Sequence, residues 1–141
     1  MSMSNGSAHW AGGLKDGKGA MKPAHAPEAP FSLSTRFEGQ PGSNPEELIG
    51  AALSGCFSMA LTGALERAGL KPTSVRTSAA VQLEKQPAGF AITTIALTTE
   101  AVVPGADPAQ FQTIAEETKK GCPVSKALAG VEITLQARLG A

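Results

Sequence analysis

Residues 48–65 form the longest apolar stretch of the chain and contain no charged side chain. The segment NPEE at positions 44–47 precedes this stretch, and an asparagine followed by proline and two acidic residues is typical of a helix N-terminus. Gly69 then provides a helix stop. The pattern predicts one helix from Pro45 to about Ala68, with a length of roughly 36 Å.

This helix is apolar on nearly every side, and a helix without a polar face must be surrounded by other structure. A chain of 141 residues with 4% aromatic residues has little material for that purpose, so two such helices are expected to pack together in a homodimer. A membrane span would need roughly 20 strongly apolar residues. Glycine, serine and threonine dilute this stretch, so the sequence favours a deeply buried helix of a soluble protein. Two of its i, i+4 rows are small: Gly50, Ser54, Ser58 and Thr62, and Ala52, Cys56, Ala60 and Ala64.

Alternating apolar and polar positions predict strands elsewhere in the chain. Asp16-Gly17 marks the turn of a hairpin. Asp107 and Cys122-Pro123 each begin a further helix, and the first of these ends near Lys120. The predicted strand segments are the hairpin 9–21, a short strand 31–37 that carries Arg36, an antiparallel pair 75–84 and 90–103, and a last strand 131–139.

These elements indicate the α+β class, with antiparallel sheets around long central helices. The length of the chain is that of a single domain over residues 1–141. Residues 1–7 have the composition of a disordered leader. The N-terminal segment lacks the charged start and apolar core of a secretory signal, so a cytoplasmic location is expected.

The charge balance narrows the possible partners. Lysine plus arginine and aspartate plus glutamate number 12 each, so the net charge is zero. No basic run is present of the kind that nucleic acid or an anionic membrane surface requires, and neither partner is expected. The two histidines, His9 and His25, form no metal-ligand pattern with the two cysteines, so no metal is expected either.

The two cysteines, Cys56 and Cys122, occupy different settings. Cys122 stands at a helix start, where the partial positive charge of unpaired amides favours a thiolate, so it is predicted to be the more acidic thiol. Cys56 lies within the apolar helix, where burial raises a thiol pKa. From the residues alone, Cys56 is either a small core residue or one member of a redox pair.

Several segments of the chain carry a family resemblance. RFEGQPGSNPEELIGAALSGCFSMAL, AGFAITTIAL, VPGAD and GCPVSKAL together resemble the OsmC family (osmotically inducible protein C), a sister group of the organic hydroperoxide resistance proteins. The similarity extends from AHWAGGLKDGKG to the last strand, and the RFEG segment resembles OsmC more than its sister group. The resemblance implies an OsmC-like intertwined homodimer. It also implies a thiol-dependent peroxidase that reduces organic hydroperoxides, and hydrogen peroxide more weakly, in oxidative or osmotic stress defence.

The same resemblance implies roles for four residues. Cys56 corresponds to the peroxidatic cysteine and Cys122 to the resolving cysteine, while Arg36 and Glu46 correspond to the pair that activates Cys56. The sulfenic acid that peroxide leaves on Cys56 then condenses with the Cys122 thiol to a disulfide. A cellular dithiol, lipoyl-type or thioredoxin-like, would reduce this disulfide, and no cofactor is required.

Helix geometry constrains such a site. Glu46 and Cys56 are ten residues apart on one predicted helix, which is about 15 Å along its axis. If two copies of the helix cross antiparallel near residue 51, Glu46 of one subunit comes level with Cys56 of the other. We therefore expect a composite site. The small residues expected at the crossing are Gly50, Ala51, Ser54 and Gly55.

Apolar side chains around Cys56 are expected to favour an organic hydroperoxide over hydrogen peroxide. His9, His25 and Trp10 are assigned to structure. The alternative function is a non-enzymatic dimer that binds a small hydrophobic ligand, with the cysteines incidental. The residues expected to form the substrate pocket are Leu48, Leu53, Phe57 and Met59.

Overall fold

The computed structural model describes all residues, 1–141, and divides into two compact units, Met1–Leu48 and Ile49–Ala141. The single domain stays a prediction. Regular structure begins at Gly6, inside the segment 1–7 that was expected to be a leader. The elements in chain order are β1 (Gly6–Ala11), β2 (Lys18–Pro23), β3 (Ala29–Phe31), α1 (Leu33–Phe37), α2 (Pro45–Arg67), β4 (Ser74–Gln86), β5 (Gly89–Val102), α3 (Pro108–Gly121), α4 (Pro123–Ala127) and β6 (Glu132–Leu139).

The first unit contains a three-stranded antiparallel sheet in the order β1-β2-β3. The predicted hairpin is confirmed, and its turn closes where the Gly17 amide donates to the Gly13 carbonyl at 2.8 Å. A Cβ atom at Gly17 would lie 2.3 Å from that carbonyl oxygen, so the turn accepts only glycine at this position.

The predicted strand 31–37 is wrong, because β3 ends at Phe31 and helix α1 follows it. Ser32 and Thr35 form a capping box that starts this helix. The Thr35 amide donates to Ser32 Oγ at 3.2 Å, and the Ser32 amide donates to Thr35 Oγ1 at 2.8 Å. The box satisfies two amides that a strand would leave to a neighbouring strand, and Arg36 therefore lies on a helix.

The predicted long helix is confirmed as α2. Its N-terminus is capped by Asn44, whose Oδ1 accepts a hydrogen bond from the Glu47 amide at 2.8 Å. Gly69 beyond its end has a φ of +82°, a conformation that glycine adopts without strain. One i, i+4 row of α2 is fully buried and anchors the core of the second unit: Leu53, Phe57, Leu61 and Leu65.

The second unit contains a three-stranded sheet in the order β4-β5-β6. The predicted antiparallel pairing of β4 with β5 is confirmed. β6 runs parallel to β5, so the sheet is mixed and not wholly antiparallel as expected. The connection from β5 to β6 passes through α3 and α4, and such a crossover returns the chain in the same direction.

The surroundings of α2 differ from the expectation of a deeply buried helix. The row that begins at Gly50 faces the sheet of its own unit: a Cβ atom on Gly50 would lie 3.2 Å from Val81 Cγ2, and Ser58 Oγ donates to Thr77 Oγ1 at 2.7 Å. By length and composition alone α2 could cross a membrane, a test that core helices also pass. Part of the helix is exposed, and the exposed residues include Ala51, Ala52, Gly55 and Met59.

Candidate active site

The two cysteines lie side by side in the second unit. The Cys122 thiol donates a hydrogen bond to the Cys56 sulfur, with 2.6 Å between the sulfur atoms. Both thiols are free. A disulfide has a sulfur–sulfur distance of about 2.05 Å, so a small movement would join them. Cys122 is only 1% exposed, whereas Cys56 is half-buried, so the expectation that Cys56 is the deeply buried thiol is wrong.

The local backbone explains the position of each sulfur. Cys56 lies in the middle of α2, and Cys122 is the N-cap of α4, immediately before Pro123 at the first helical position. The amide of Cys122 still bonds the Thr118 carbonyl at 3.0 Å, so this residue both ends α3 and begins α4. The sulfur is thereby placed at the junction of α3 and α4.

The two thiols differ in acidity. Burial raises the pKa of the Cys56 thiol, and the hydrogen bond that this thiol donates to an ionised Cys122 raises this pKa further. Burial also acts to raise the pKa of Cys122, but hydrogen bonds outweigh it. A Cys122 thiolate would accept from the Cys56 thiol and from the amides of Ser125 and Val124, so the pKa of Cys122 is lowered. The predicted order of acidity is confirmed.

The first unit brings Arg36 and Glu46 together, in the pairing that the family resemblance implied. Arg36 Nε donates to both carboxylate oxygens of Glu46, at 3.1 Å and 3.2 Å, and Arg36 Nη2 donates to Oε1 as well. The Glu46 side chain is 10% exposed, whereas that of Arg36 is 34% exposed. The carboxylate therefore holds the guanidinium in a fixed orientation and leaves part of it accessible.

An apolar cavity of about 280 Å³ adjoins Arg36 within the first unit. Trp10 and Phe31 form part of its wall, with their ring centres 5.4 Å apart. Leu14, on the turn between β1 and β2, is 69% exposed at its edge. From the sequence, Trp10 is expected to have only a structural role. One signal pointed to it, namely an aromatic residue in a hairpin of otherwise thin apolar content. The complete lining is Trp10, Leu14, Phe31, Ser32, Leu33 and Arg36.

The residues expected to form the substrate pocket are dispersed. Leu53 and Phe57 are fully buried in the core, where neither presents a surface to a substrate. Leu48 is half-buried, and Met59 is 76% exposed on α2. None of the four lines the cavity beside Arg36.

A second cavity, of about 210 Å³, reaches Cys122 between α2 and α3. Arg67 from α2 and Glu117 from α3 supply its charged side chains, and Ala60 and Ala64 supply small apolar ones. No group of three or more His, Cys, Asp or Glu side chains is arranged to hold a metal ion.

Comparisons with known proteins identify relatives over nearly the whole chain. The family model for OsmC-like protein matches residues 37–136. Peroxiredoxin OsmC of Escherichia coli is 52% identical over 136 residues, which are 95% of this chain and 94% of that protein. An organic hydroperoxide resistance protein of Xanthomonas axonopodis is 33% identical over 99 residues, or 69% of this chain and 68% of that protein.

Solved structures share the fold. The crystal structure of an OsmC-like protein from Mycoplasma pneumoniae superposes with a TM-score of 0.80 at 13% identity, covering 99% of each chain. An organic hydroperoxide resistance protein from Elizabethkingia anophelis superposes with a TM-score of 0.76 at 24% identity, also covering 99% of each chain. The expected α+β class and OsmC-like fold are thus confirmed.

Proposed function

Because this chain belongs to the OsmC-like protein family, we propose that it is a cysteine-based peroxidase that reduces organic hydroperoxides to alcohols. The observation that carries the proposal is the pair of free sulfurs 2.6 Å apart, Cys56 and Cys122. Two relatives bear names that describe this chemistry, Peroxiredoxin OsmC and organic hydroperoxide resistance protein.

The first step of the proposed reaction takes place at Cys56. Its thiolate attacks the terminal peroxide oxygen, an S–O bond forms as the O–O bond breaks, and the departing alkoxide takes a proton to become the alcohol. Cys56 is oxidised to a sulfenic acid by two electrons, and the peroxide is reduced by the same two. We assign this role to Cys56 because its half-exposed position admits a substrate that the buried Cys122 does not meet.

The second step joins the two sulfurs. The Cys122 thiolate attacks the oxidised Cys56 sulfur, the S–S bond forms as the S–O bond breaks, and hydroxide leaves and is protonated to water. A dithiol reductant, lipoyl-type or thioredoxin-like, then restores both thiols by exchange. The disulfide protects Cys56 from further, irreversible oxidation.

Activation of Cys56 requires a cation, because burial raises the pKa of this thiol within the chain. We propose that Arg36, oriented by Glu46, supplies it in a homodimer whose composite site takes Cys56 and Cys122 from one subunit and Glu46 from the other. The exposed small residues on α2 support a close helix crossing there. Gly50 was expected to take part in that crossing but does not, because it packs against the sheet of its own subunit. The supporting residues are Ala51, Ala52 and Gly55.

The apolar cavity beside Arg36 supports a preference for organic hydroperoxides. A hydrocarbon tail against Trp10 and Leu14 would leave the peroxide oxygens near the guanidinium. Leu48 and Met59 remain candidates for the walls of the same site in the homodimer. Hydrogen peroxide has no such tail and gains nothing from these contacts, so it is the weaker substrate.

Location and physiological role complete the proposal. We place the protein in the cytoplasm, without nucleic acid or membrane partners, in defence against oxidative or osmotic stress. The buried row of α2 packs in a protein core, and the net charge of zero supports no polyanionic partner.

The decisive experiment mixes the reduced protein with cumene hydroperoxide. We expect the loss of two thiols per chain, release of the alcohol and a Cys56–Cys122 disulfide identified by mass spectrometry. Cys56→Ser should abolish peroxide consumption, whereas Cys122→Ser should still consume about one equivalent and stop at the sulfenic acid. Full activity of Cys56→Ser would refute the proposal.

The alternative, a non-enzymatic binder of a small hydrophobic ligand, is favoured by one observation, the apolar cavity lined by Trp10 and Leu14. It predicts that cumene hydroperoxide quenches Trp10 fluorescence without thiol loss. Peroxide turnover that depends on Cys56 excludes it as the sole function.

A further inference from the structure

Ser125 is a buried residue of α4, 7% exposed, whose hydroxyl oxygen makes no hydrogen bond of acceptable geometry. Only one other buried side-chain oxygen, Thr93 Oγ1, is in the same situation. Leaving a buried hydroxyl unpaired is unfavourable, because the group has lost its bonds to water without replacing them. The structure therefore leaves the Ser125 hydroxyl unsatisfied.

The reactive group beside Ser125 is the Cys122 sulfur. Cys122 is the N-cap of α4, and its side chain makes no capping bond, so the sulfur is free to serve another purpose. Ser125 is three residues further along, a spacing that brings its amide and side chain to the N-cap residue. Both the amide and the hydroxyl of Ser125 act to favour a charged Cys122.

A neutral thiol and a thiolate present different acceptors to this hydroxyl. In the structure the Cys122 proton is directed at Cys56, and the Ser125 hydroxyl has no suitably oriented acceptor. Deprotonation of Cys122 places a full charge on the sulfur, and a charged acceptor forms stronger hydrogen bonds than a neutral one.

We propose that Ser125 is a positioning residue for disulfide formation, whose hydroxyl donates a hydrogen bond to the Cys122 thiolate and holds that sulfur against Cys56. The proposal rests on the peroxidase function with Cys122 as the resolving cysteine. The step that it assists is the attack of the Cys122 thiolate on the Cys56 sulfenic acid, in which the S–S bond forms, the S–O bond breaks and hydroxide leaves as water.

The other ionisable groups around Cys122 are few. Cys56 faces it from α2, and the cavity that reaches Cys122 also contains Arg67 from α2 and Glu117 from α3. Arg67 and Glu117 carry opposite charges, so their influences on a thiolate oppose each other. The local donors of α4, among them the Ser125 hydroxyl, are therefore expected to determine how readily Cys122 ionises.

The first test isolates Cys122 in a Cys56→Ser background and follows thiolate absorbance near 240 nm against pH. Adding Ser125→Ala should raise the pKa of Cys122 and reduce its thiolate fraction at pH 7 by roughly tenfold. Thr118→Val is the matched control, because it removes a buried hydroxyl in the preceding turn that already bonds the Ile114 carbonyl at 2.8 Å. Equal titration curves with and without Ser125→Ala would overturn the proposal.

The second test uses the chain with both cysteines and single-turnover kinetics. Ser125→Ala should leave the rate of sulfenic acid formation unchanged, slow disulfide formation roughly tenfold at pH 7 and increase overoxidised Cys56 in mass spectra. Raising the pH should restore the rate, which a merely structural defect would not do. A variant that forms the disulfide at the original rate contradicts the proposal.

The two tests separate this inference from the function on which it rests. If the unmodified protein formed no sulfenic acid, the peroxidase proposal would fail, while the titration of Cys122 would still decide whether Ser125 donates to its thiolate. Folding is controlled by the melting temperature of the reduced Ser125→Ala protein. It should not decrease, because the hydroxyl that is removed was unpaired.

Discussion

Cys122 and Cys56 have the same side chain but opposite pKa shifts. Burial acts to raise the pKa of both, the hydrogen bond between the sulfurs lowers that of Cys122 and raises that of Cys56, and backbone amides add to the difference. At the beginning of α4 the amides of Val124 and Ser125 favour a Cys122 thiolate, whereas Cys56 lies within α2, where the Val124 amide alone acts against the effect of burial. Each thiol therefore suits a different step: Cys122 ionises readily, and Cys56 depends on an external cation.

Arg36 is the residue that we propose as this cation, and its replacement tests the proposal. Arg36→Lys keeps the charge but loses the fork that bonds Glu46 through Nε and Nη2. We expect kcat/KM for cumene hydroperoxide to fall by roughly tenfold to a hundredfold. Arg138→Lys is the control, because Arg138 forms only an exposed pair with Glu100, and it should change the rate little. Equal rates for Arg36→Lys and the original protein would remove Arg36 from the mechanism.

The raised pKa of Cys56 predicts a pH dependence of stability. Its folded-state pKa lies above the unfolded value, so the unfolded chain releases the proton first as pH rises. The contribution of Cys56 to the free energy of unfolding is complete below its unfolded-state pKa and is lost as the pH increases toward its folded-state pKa. We expect the free energy of unfolding of an Arg36→Gln, Cys122→Ser variant, which lacks the proposed cation, to decrease between about pH 8 and 10 relative to the same chain with Cys56→Ser added, because burial still raises the pKa of Cys56. Urea denaturation in the presence of reductant measures it, and an increase would contradict the direction of the shift.

A chain of partly buried hydroxyls connects three elements of the second unit. Ser58 of α2 donates to Thr77 of β4 at 2.7 Å, and Thr77 bonds Thr99 of β5 at 2.9 Å. Thr99 is fully buried and also reaches the Arg76 carbonyl at 3.2 Å. This network fixes the position of α2 on the sheet, because a sliding helix would leave these hydroxyls unpaired.

Thr77→Val tests this network with little change in volume. It leaves the half-buried Ser58 hydroxyl and the buried Thr99 hydroxyl with one partner fewer each, so we expect the free energy of unfolding to fall by about 1–3 kcal/mol. Thr98→Val, on the exposed face of β5, should change it by less than about 0.5 kcal/mol. Urea denaturation followed by circular dichroism compares the two variants. Equal stability would mean that the network contributes nothing.

Elements with strong local signals could be predicted from the sequence, and the others depend on longer-range contacts. The Asn44 cap and the apolar run identify α2, and alternation identifies β4 and β5. Residues 31–37 alternate like a strand, but the Ser32 capping box makes the second part helical. The direction of β6 depends on the crossover before it and not on its own residues. Helix α2 has no polar face, so its sequence does not indicate which side packs against the sheet. For this reason the predicted place of Gly50 in a helix crossing was wrong.

At the scale of the whole molecule, the site residues form two pairs that belong to different compact units. The pairs themselves, Arg36 with Glu46 and Cys56 with Cys122, could be predicted through the family resemblance alone, because no local sequence pattern indicates either contact. The apolar cavity beside Arg36 could not be predicted, because its walls come from three separate elements. The combination of the two pairs across a homodimer is our proposal.

Subunit mixing tests whether the site is shared between subunits. Glu46→Gln and Cys56→Ser are each expected to impair the peroxidase activity of a homodimer that carries the substitution in both subunits. A mixed dimer of the two would contain one complete site if Glu46 acts on the Cys56 of its partner. Random mixing should then restore roughly a quarter of the original activity. If Glu46 acts within its own chain, the mixture should show no gain over the separate variants, and the composite site would be excluded.

The two sulfurs that meet in the second unit are 66 positions apart in the chain. Joining them closes a large loop, which restricts the unfolded ensemble and by chain-entropy arguments stabilises the folded state by about 4 kcal/mol. Each reaction with an oxidant would thus leave the protein more resistant to heat and proteolysis until a reductant reopens the loop. The form that accumulates under oxidative attack would be the more durable one.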